Sequence, residues 1–538
     1  MPESAPDVRR VRLALALGLA LLTAVVPARG QEIDLSFLAT RAEATDFEET
    51  TRYDELVGFL DVLARTSPRL HLTRFGYSTE GRALPLMVYG DVADATPEAV
   101  LATGKTRVFV MANIHAGEVC GKEAMLMLLR KLAAGYREEW ADSLVLLVAP
   151  IYNADGNERV SLYHRPRQHG PVGGMGQRPN AEGYDLNRDH VKLDTPEARS
   201  LVRLMNRYDP HVVLDLHTTN GTYHAYHLTY APPLHPNTSE AVVDLLRKDW
   251  LPEVTRAIRE KYGWEYYYYG NLPWPGMDAE RGWYTFDHRP RFNNNYVGLR
   301  NRIAILSEAY AYATFEERIR ATLYFVEENL DFAFLHAKEI RELTALADAE
   351  PVPGKALALR AEHARSEHPV EILLGEVVEE KNPYSGAVML RRKDVRHPEM
   401  MYEYGAFKPT ETAVAPEAYL VPPELSVVID RLDAHGVRYS RLDAGRTETV
   451  ERFRIDSTHV AERPFQKHRA RTLFGAYERA EATLPAGTLV VPVNQPLGRL
   501  IFTMLEPRSD DGFATWALLD DALEGAAYYP ILRRPVAR

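Results

Sequence analysis

The chain has 538 residues, of which 46% are hydrophobic and 10% aromatic, and this composition excludes a disordered polymer. The length exceeds what one hydrophobic core usually organises, so two domains are expected. The 75 acidic and 64 basic side chains give a net charge of −11, which argues against nucleic-acid binding by bulk basic charge. Cys120 is the single cysteine, so no disulfide forms within the chain.

The N-terminus has the layout of a secretory signal peptide. Three arginines precede an unbroken run of small and apolar residues from Leu13 to Val26. Ala28 and Gly30 then supply small residues at the two positions that a signal peptidase reads, which places cleavage near Gly30/Gln31. The run is short for a membrane span, and no later stretch is apolar enough for one. We expect residues 1–30 to be removed and the mature protein to be secreted or periplasmic, without stable membrane insertion.

Residues 31–345 form the first predicted domain, in which apolar strands alternate with helices. Arg107–Ile114 and Leu144–Ile151 are continuous apolar runs, as is typical of strands that are covered on both faces. Gly121–Ala133 has helical periodicity. The remaining predictions are helices at Pro196–Tyr208 and Phe315–Lys338 and strands at Val212–Leu216 and Ile303–Leu306. This alternation predicts an α/β domain with a mixed, largely parallel central sheet and helices on both faces.

Two segments of this domain lack a clear period. Glu158–Glu182 is rich in glycine and proline and is predicted to be a long surface loop. Tyr262–Gly276 is rich in tyrosine and proline. It is either a packed aromatic loop or a wall that faces a substrate.

A second, smaller domain is predicted after a change of composition near Ala345–Lys355. Residues 355–538 have an α+β pattern. Strands are predicted at Val370–Val377, Ala387–Arg391 and Thr488–Val493, and a helix at Pro423–His435. This accessory domain contains no constellation of residues that suggests chemistry of its own.

Several chemically active side chains follow predicted strands of the first domain. His115, His217 and Glu308 each come directly after a strand, and Asp185–Arg188 ends the long loop. In open α/β sheets, ligands bind outside the carboxyl ends of the strands. We therefore expect these distant positions to meet at one edge of the sheet.

Two imidazoles and one carboxylate are suited to hold a metal ion. His115, Glu118 and His217 are a three-ligand zinc set that leaves one position open for water. The pair of His115 and Glu118 alone can also be interpreted without a metal, as a hydrogen-bonded core histidine and a glutamate at the start of a helix. Glu308 is placed to act as a general base, and its alternative role is a buried ion-pair partner of Arg300 or Arg302.

The pattern resembles the zinc carboxypeptidases of the carboxypeptidase A/B type over roughly residues 45–340. The matching elements stand in the family's order. They are Gly76-Tyr77-Ser78-Thr79-Glu80-Gly81-Arg82 (G-x-S-x-E-G-R), the His115/Glu118 pair, Asn153-Ala154-Asp155-Gly156, Asp185-Leu186-Asn187-Arg188, His217 and Glu308. The match departs from the family at Ala154, which stands where proline is usual, and at Asp189, where many digestive members have asparagine.

The resemblance implies a role for each matching residue. His115, Glu118 and His217 hold one zinc ion per chain, and Asp185 orients His115. Glu308 is the general base toward a zinc-activated water. The remaining roles concern the substrate, with Asn187 and Arg188 binding the free carboxylate of a peptide C-terminus and Arg178 stabilising the oxyanion.

Some assignments stay open at this point. Arg165 and Arg167 compete with Arg178, because the loop before Arg178 is long. For the substrate-gripping tyrosine, Tyr284 is the first choice and Tyr296 the second.

The resemblance implies a zinc metallocarboxypeptidase that acts on peptide or protein C-termini, and the signal-peptide layout implies that it is exported. The alternative is a zinc amidase or deacylase that uses the same site on cell-wall peptides or acylated amino acids.

Overall fold

A computed structural model of the chain describes residues 34–35, 37–276 and 278–536. The predicted signal peptide, residues 1–30, lies outside these residues. Within the described residues, no helix combines the length and the apolar character that crossing a membrane requires.

The structure has fifteen α-helices in its described residues, together with a 3-10 turn at Leu186–Arg188 and a π-helical stretch at Leu245–Trp250. The α-helices are α1 Arg41–Ala44, α2 Tyr53–Thr66, α3 Pro97–Ala102, α4 Cys120–Ala133, α5 Trp140–Ser143, α6 Ala154–Glu158, α7 Pro196–Tyr208, α8 Glu240–Asp244, α9 Leu251–Tyr262, α10 Asn293–Leu299, α11 Phe315–Leu335, α12 Ala337–Ala349, α13 Ser426–His435, α14 Gly498–Leu505 and α15 Asp520–Leu523.

The described residues also form twenty-one β-strands. They are β1 Leu70–Tyr77, β2 Ala83–Tyr89, β3 Thr106–Ala112, β4 Leu144–Ala149, β5 Val212–Thr219, β6 Leu228–Ala231, β7 Tyr266–Tyr268, β8 Gly282–Tyr284, β9 Ile303–Tyr310, β10 Ala356–Ala364, β11 Val370–Leu374, β12 Val377–Lys381, β13 Val388–Arg392, β14 His397–Tyr404, β15 Ala406–Val414, β16 Ala418–Val421, β17 Ser440–Arg441, β18 Arg446–Val460, β19 Arg471–Leu484, β20 Leu489–Pro492 and β21 Leu532–Arg534.

The central sheet has eight strands in the order β1-β2-β4-β3-β5-β9-β6-β7. Strands β4, β3, β5 and β9 run parallel to one another. Strands β1 and β2 pair antiparallel with their neighbours, and β6 pairs antiparallel with β9 but parallel with β7. Every residue of β3, β4 and β5 is buried, because side chains on both faces of these strands are covered. The predicted α/β class with a mixed, largely parallel sheet is confirmed.

Two strands extend further than the sequence pattern indicated. His217 and Glu308 were expected to follow their strands, but β5 continues to Thr219 and β9 to Tyr310. Strand β9 is prolonged because its other edge pairs with β6, where Glu308 lies opposite Thr229. The two side chains therefore stand near the carboxyl ends of paired strands and not on loops.

The prediction of one helix over Phe315–Lys338 was wrong at its end. Helix α11 stops at Leu335, and α12 starts at Ala337 after a break at His336. His336 has φ −109° and ψ 21°, and its N–H still donates to the carbonyl of Phe332. The backbone thus leaves helical geometry for one residue, and a second helix begins at Ala337.

The C-terminal part contains a six-stranded sheet in the order β17-β20-β16-β21-β18-β19. Strands β18 and β19 form a long antiparallel hairpin. Strand β14 adds to β8 in parallel, which joins the two parts of the chain by backbone pairing. Buried residues of both parts belong to one continuous hydrophobic cluster. A division into domains at residues 345–355 stays a prediction.

Candidate active site

Three potential metal ligands meet at the carboxyl ends of the central strands. His115 and Glu118 lie in the turn between β3 and α4, and His217 lies on β5. The Nδ1 atom of His115 is 2.9 Å from Oε1 of Glu118, and the Nδ1 atom of His217 is 2.9 Å from Oε2. One ligand atom from each residue lies within 4.8 Å of the other two. All three residues are buried.

The second nitrogen of each imidazole faces another carboxylate. The Nε2 atom of His115 donates to Oδ1 of Asp185 at 3.0 Å. The Nε2 atom of His217 is 3.0 Å from Oδ2 of Asp215, without the alignment of a hydrogen bond. Metal-binding histidines usually present their second nitrogen to such a partner, which turns the first nitrogen toward the ion. Both Nδ1 atoms are oriented in this way.

The chemistry of these donors fits zinc. Zinc is bound in proteins by imidazole nitrogen and carboxylate oxygen, and its catalytic sites use three protein ligands. Burial alone would raise the pKa of Glu118, but His115 and Arg165 hold that pKa well below its usual range. Glu118 is therefore ionised, as a ligand of a metal cation must be.

Glu308 stands beside this group on the neighbouring strand. It is the direct partner of His217 in the parallel pairing of β5 with β9. Its Oε2 atom is buried and has no hydrogen-bond partner among the described residues. Burial raises the pKa of Glu308 to about 8, against the opposing effect of His217.

The alternative of an ion pair between Glu308 and Arg300 or Arg302 is not supported. Arg302 pairs with Asp209 at 2.6 Å and with Asp348 at 3.0 Å. Arg300 donates to Asn206 and to the hydroxyl of Tyr296.

Two arginines approach Glu118 from the long loop. The Nη2 atom of Arg165 lies 2.5 Å from Oε1 of Glu118, and the Nη1 atom of Arg178 lies 3.8 Å from the same oxygen. Arg165 fills space that a side chain at Gly117 would need, since a Cβ atom there would be 2.8 Å from its Nε atom. Arg178 also donates twice to Oδ2 of Asp185.

Asn187 and Arg188 occupy the 3-10 turn that follows Asp185. The Asp185 carboxylate accepts the backbone N–H of Asn187 at 2.9 Å and so caps this turn. The guanidinium of Arg188 lies over the ring of Phe292, with its Cζ atom 3.8 Å from the ring centre. Its Nη1 atom donates to the carbonyl of Asn187 at 2.7 Å.

These side chains line one cavity of about 390 Å³. Its walls are formed by His115, Glu118, Arg165, Arg178, Asn187, Arg188, His217, Thr218, Thr219, Asn220, Tyr269, Phe286, Phe292, Leu306 and Glu308. The cavity thus contains every predicted metal ligand, the predicted base and three arginines. Asp185 stands behind His115.

Comparison with known proteins shows that part of the chain is similar to a known family. Residues 56–284 match the family described as zinc carboxypeptidase. "Carboxypeptidase 2" of Trichophyton tonsurans is 25% identical over 516 residues, which cover 90% of this chain and 86% of that protein. "Carboxypeptidase D" of Homo sapiens is 31% identical over 168 residues, covering 25% of this chain and 12% of that protein.

The matched region, residues 56–284, is similar to the zinc carboxypeptidase family, whose members are hydrolases of the metallopeptidase class.

Solved structures of metallocarboxypeptidases align with about half of this chain. The metallo-carboxypeptidase from Burkholderia cenocepacia covers 53% of this chain and 69% of its own, with 16% identity and a TM-score of 0.40. Carboxypeptidase A from Helicoverpa armigera covers 56% and 76%, with 17% identity and a TM-score of 0.39.

The tyrosines chosen from the sequence are not among the residues that line this cavity. Tyr284 lines a neighbouring cavity, stacks on Tyr404 and donates its hydroxyl to the carbonyl of Glu280. Tyr296 is fully buried, and its hydroxyl lies 2.8 Å from Nδ1 of His435. The structure does not bring either phenol to Glu308 or the metal ligands.

The phenol that does reach the cavity is Tyr269. Its hydroxyl accepts a hydrogen bond from Nδ2 of Asn271 at 3.0 Å. Burial raises the pKa of Tyr269 to about 12, so its hydroxyl keeps its proton at neutral pH. The aromatic run that contains Tyr269 was the available sequence signal, and nothing in that run singled out one of its four tyrosines.

Proposed function

We propose that this protein is an exported zinc-dependent metallocarboxypeptidase that hydrolyses C-terminal peptide bonds. The observation that carries the proposal is the position of Glu308. Its unpartnered carboxylate oxygen lies beside His217, in a cavity that also holds three arginines. A buried carboxylate with a raised pKa and an open approach is suited to accept a proton.

The residues that would hold zinc are His115, Glu118 and His217. Bound zinc supplies a Lewis acid that polarises a carbonyl group and lowers the pKa of water. Asp185 keeps Nδ1 of His115 turned inward by accepting from Nε2.

Glu308 moves the proton in this proposal. It accepts a proton from the attacking water and later returns it to the nitrogen of the leaving amino acid. Arg178 donates to the oxygen of the tetrahedral intermediate, and its two hydrogen bonds to Asp185 hold the cation in place for this role.

Asn187 and Arg188 bind the free carboxylate of the substrate. A guanidinium donates two parallel hydrogen bonds to a carboxylate, which makes Arg188 the specific group. The ring of Phe292 beneath Arg188 holds the guanidinium plane in place. An enzyme built in this way requires a free C-terminus on its substrate.

The experiment compares peptides that differ only at the C-terminus. The purified mature protein should release the last residue of a free peptide and leave the C-terminally amidated peptide intact. Glu308→Gln should lose turnover while still binding zinc, and Glu316→Gln, at a partly exposed position of α11 outside the cavity, is the matched control. Equal hydrolysis of the two peptides would refute the exopeptidase assignment, and retained turnover in Glu308→Gln would refute the base.

Export is proposed from the sequence of residues 1–30 alone. Expression of the full chain in a host that secretes proteins should give mature protein outside the cytoplasm, beginning at Gln31. N-terminal sequencing tests this, and an intact N-terminus on cytoplasmic protein would contradict export without affecting the catalytic proposal.

A further inference from the structure

A second cavity lies beside the catalytic cavity. It measures about 680 Å³. Tyr269 and Phe286 line both cavities and so form the partition between them. The C-terminal part of the chain supplies another wall, through residues 360–363 of β10 and Phe407 of β15. This second cavity is therefore built jointly by both parts of the chain.

The charged groups of this second cavity are already neutralised by protein partners. Asp287 binds Arg289, and His288 lies 3.1 Å from Asp510. Glu362 lies 3.1 Å from Lys408, and Arg360 lies 3.5 Å from Glu411.

What this leaves for a ligand is mainly aromatic surface, from Trp274, Tyr284 and Phe407. The side chain of Trp274 is 69% exposed. A site with paired charges and a wall of partly exposed aromatic rings favours an uncharged, apolar ligand.

We infer that the second cavity binds an aromatic or bulky aliphatic side chain of the peptide substrate. This inference rests on the proposed function, because the peptide must reach Glu308 through the adjoining cavity. Because Tyr269 and Phe286 line both cavities, a peptide bound in the catalytic cavity has the second cavity next to it. The C-terminal part of the chain would then contribute to substrate selection.

The test uses a peptide series with phenylalanine or glycine at one position at a time, starting from the C-terminal residue. At one position, kcat/KM should favour phenylalanine about 30-fold, which is typical for burial of such a side chain. Phe407→Ala should reduce this ratio to about threefold or less, since part of the apolar wall is gone. Phe474→Ala, an exposed phenylalanine on β19, is the matched control and should keep the ratio.

A series in which both residues give equal kcat/KM at every position would overturn the inference, as would an unchanged ratio in Phe407→Ala. The failure of the proposed function would look different, because no peptide of the series would then be cleaved.

A second inference concerns the tip of the hairpin formed by β18 and β19. Phe465 and His468 exchange two backbone hydrogen bonds across Gln466 and Lys467, which defines a two-residue turn. Both central residues are left-handed, with φ of 49° and 66°. Such turns favour Asn-Gly, and a longer side chain at a left-handed position costs about 1–2 kcal/mol. The sequence Gln-Lys therefore opposes the local preference of the turn.

The side chains of this turn contact residues 184–194, the segment that contains Asp185, Asn187 and Arg188. Oε1 of Gln466 accepts the backbone N–H of Asp185 at 2.9 Å. Nζ of Lys467 lies 3.9 Å from the ring centre of Tyr184, and Nε2 of His468 lies 2.7 Å from Oδ2 of Asp194. Strain of this kind persists where surrounding contacts require it, often next to functional sites.

We propose that Gln466 is a positioning residue for the metal site. It fixes the backbone of Asp185, whose carboxylate accepts from Nε2 of His115. The C-terminal part of the chain thereby reaches the predicted metal ligand through two hydrogen bonds in series. Loss of a partner that orients a ligand typically weakens metal binding 10- to 100-fold, and a partner one step further away is expected near the lower value.

Gln466→Asn and Gln466→Glu separate positioning from a merely structural role. Asparagine is better suited to the left-handed position but too short to reach Asp185, so stability should be kept or increased while zinc affinity falls about tenfold. Glutamate retains the acceptor and should keep zinc affinity within about threefold of wild type. The readouts are the zinc dissociation constant and the melting temperature of the metal-free protein. Unchanged zinc affinity in Gln466→Asn, or equal losses in both variants, would overturn the proposal.

Discussion

His217 and Glu308 are direct neighbours across the pairing of β5 with β9. Successive residues of a strand point to opposite faces, so the register of this pair decides which side chains share a face. In the observed register, a predicted zinc ligand and the predicted base stand together at the carboxyl ends of two parallel strands. A shift of one residue would separate them.

Asp185→Asn should weaken zinc binding 10- to 100-fold, because the acceptor that orients His115 loses its charge. The pKa of Asp185 is held well below its usual range, chiefly by His115 against the effect of burial, so the residue is an anion in the folded protein. Zinc titration into metal-free protein measures the effect. The exposed Asp456→Asn variant should bind zinc as wild type does, and equal affinities for both variants would argue against an orienting role.

Arg178→Lys should lower kcat about 100-fold and change KM little, because the lost guanidinium acts on the transition state. Arg165→Lys is the comparison, since Arg165 lies closer to Glu118 than Arg178 does. Its effect on kcat should be smaller, as the family pattern assigns the oxyanion to Arg178. Steady-state kinetics on one free peptide decides between them. A larger kcat loss in Arg165→Lys would transfer the role to Arg165.

Gly176→Ala should destabilise the protein by about 1–3 kcal/mol, because the added methyl group meets the backbone. A Cβ atom there would lie 2.5 Å from the carbonyl oxygen of Gly156 and 2.7 Å from that of Ala116. Gly58→Ala is the control within helix α2, where a Cβ atom meets nothing within 4 Å. That change should stabilise by about 0.5–1 kcal/mol. Urea unfolding measures both, and a neutral Gly176→Ala would contradict the close packing of the long loop.

His435 should make the protein less stable in acid. It is buried between Tyr296 and the carbonyl of Val191, and burial, aided by Arg300, lowers its pKa from 6.5 to about 3. Above pH 6.5 the folded and unfolded states are both neutral at this residue. Between pH 6.5 and about 3 only the unfolded state binds the proton, so stability falls by about 1.4 kcal/mol per pH unit.

The measurement for His435 is the unfolding free energy at pH 7 and pH 5. Other buried histidines contribute to the total slope, so the difference between wild type and variant is the relevant quantity. His435→Gln should show a smaller loss between the two pH values than wild type, and the exposed His459→Gln should match wild type. An unchanged slope in His435→Gln would show that this residue does not bind its proton differently in the two states.

The sequence predicted the parts of the site that regular elements position. His115, His217 and Glu308 lie at the ends of apolar strands, and parallel strands bring their carboxyl ends to one edge. Their convergence therefore followed from the order of strands and helices without any knowledge of side-chain contacts. Helix α7 was likewise predicted at the bounds that the structure has, because Thr195 caps its start and Pro196 suits its first turn.

The parts that depend on loops and on distant segments could not be predicted. Tyr269 lies in a stretch with no period, where the sequence does not reveal which ring faces the cavity, and Tyr284 lies on the short strand β8 outside that stretch. Gln466 stands 281 residues from Asp185 and belongs to no motif. Contacts of this kind depend on how the C-terminal part packs on the central sheet, which local patterns do not encode.

The central claim is that His115, Glu118 and His217 share one zinc ion. Zinc titration into the metal-free mature protein, followed by calorimetry, tests it most directly. The account predicts about one zinc per chain in the wild type, loss of that binding in His217→Ala, and wild-type binding in the exposed control His459→Ala. A wild-type protein that binds no zinc, or a His217→Ala variant that binds zinc as tightly as wild type, would contradict it.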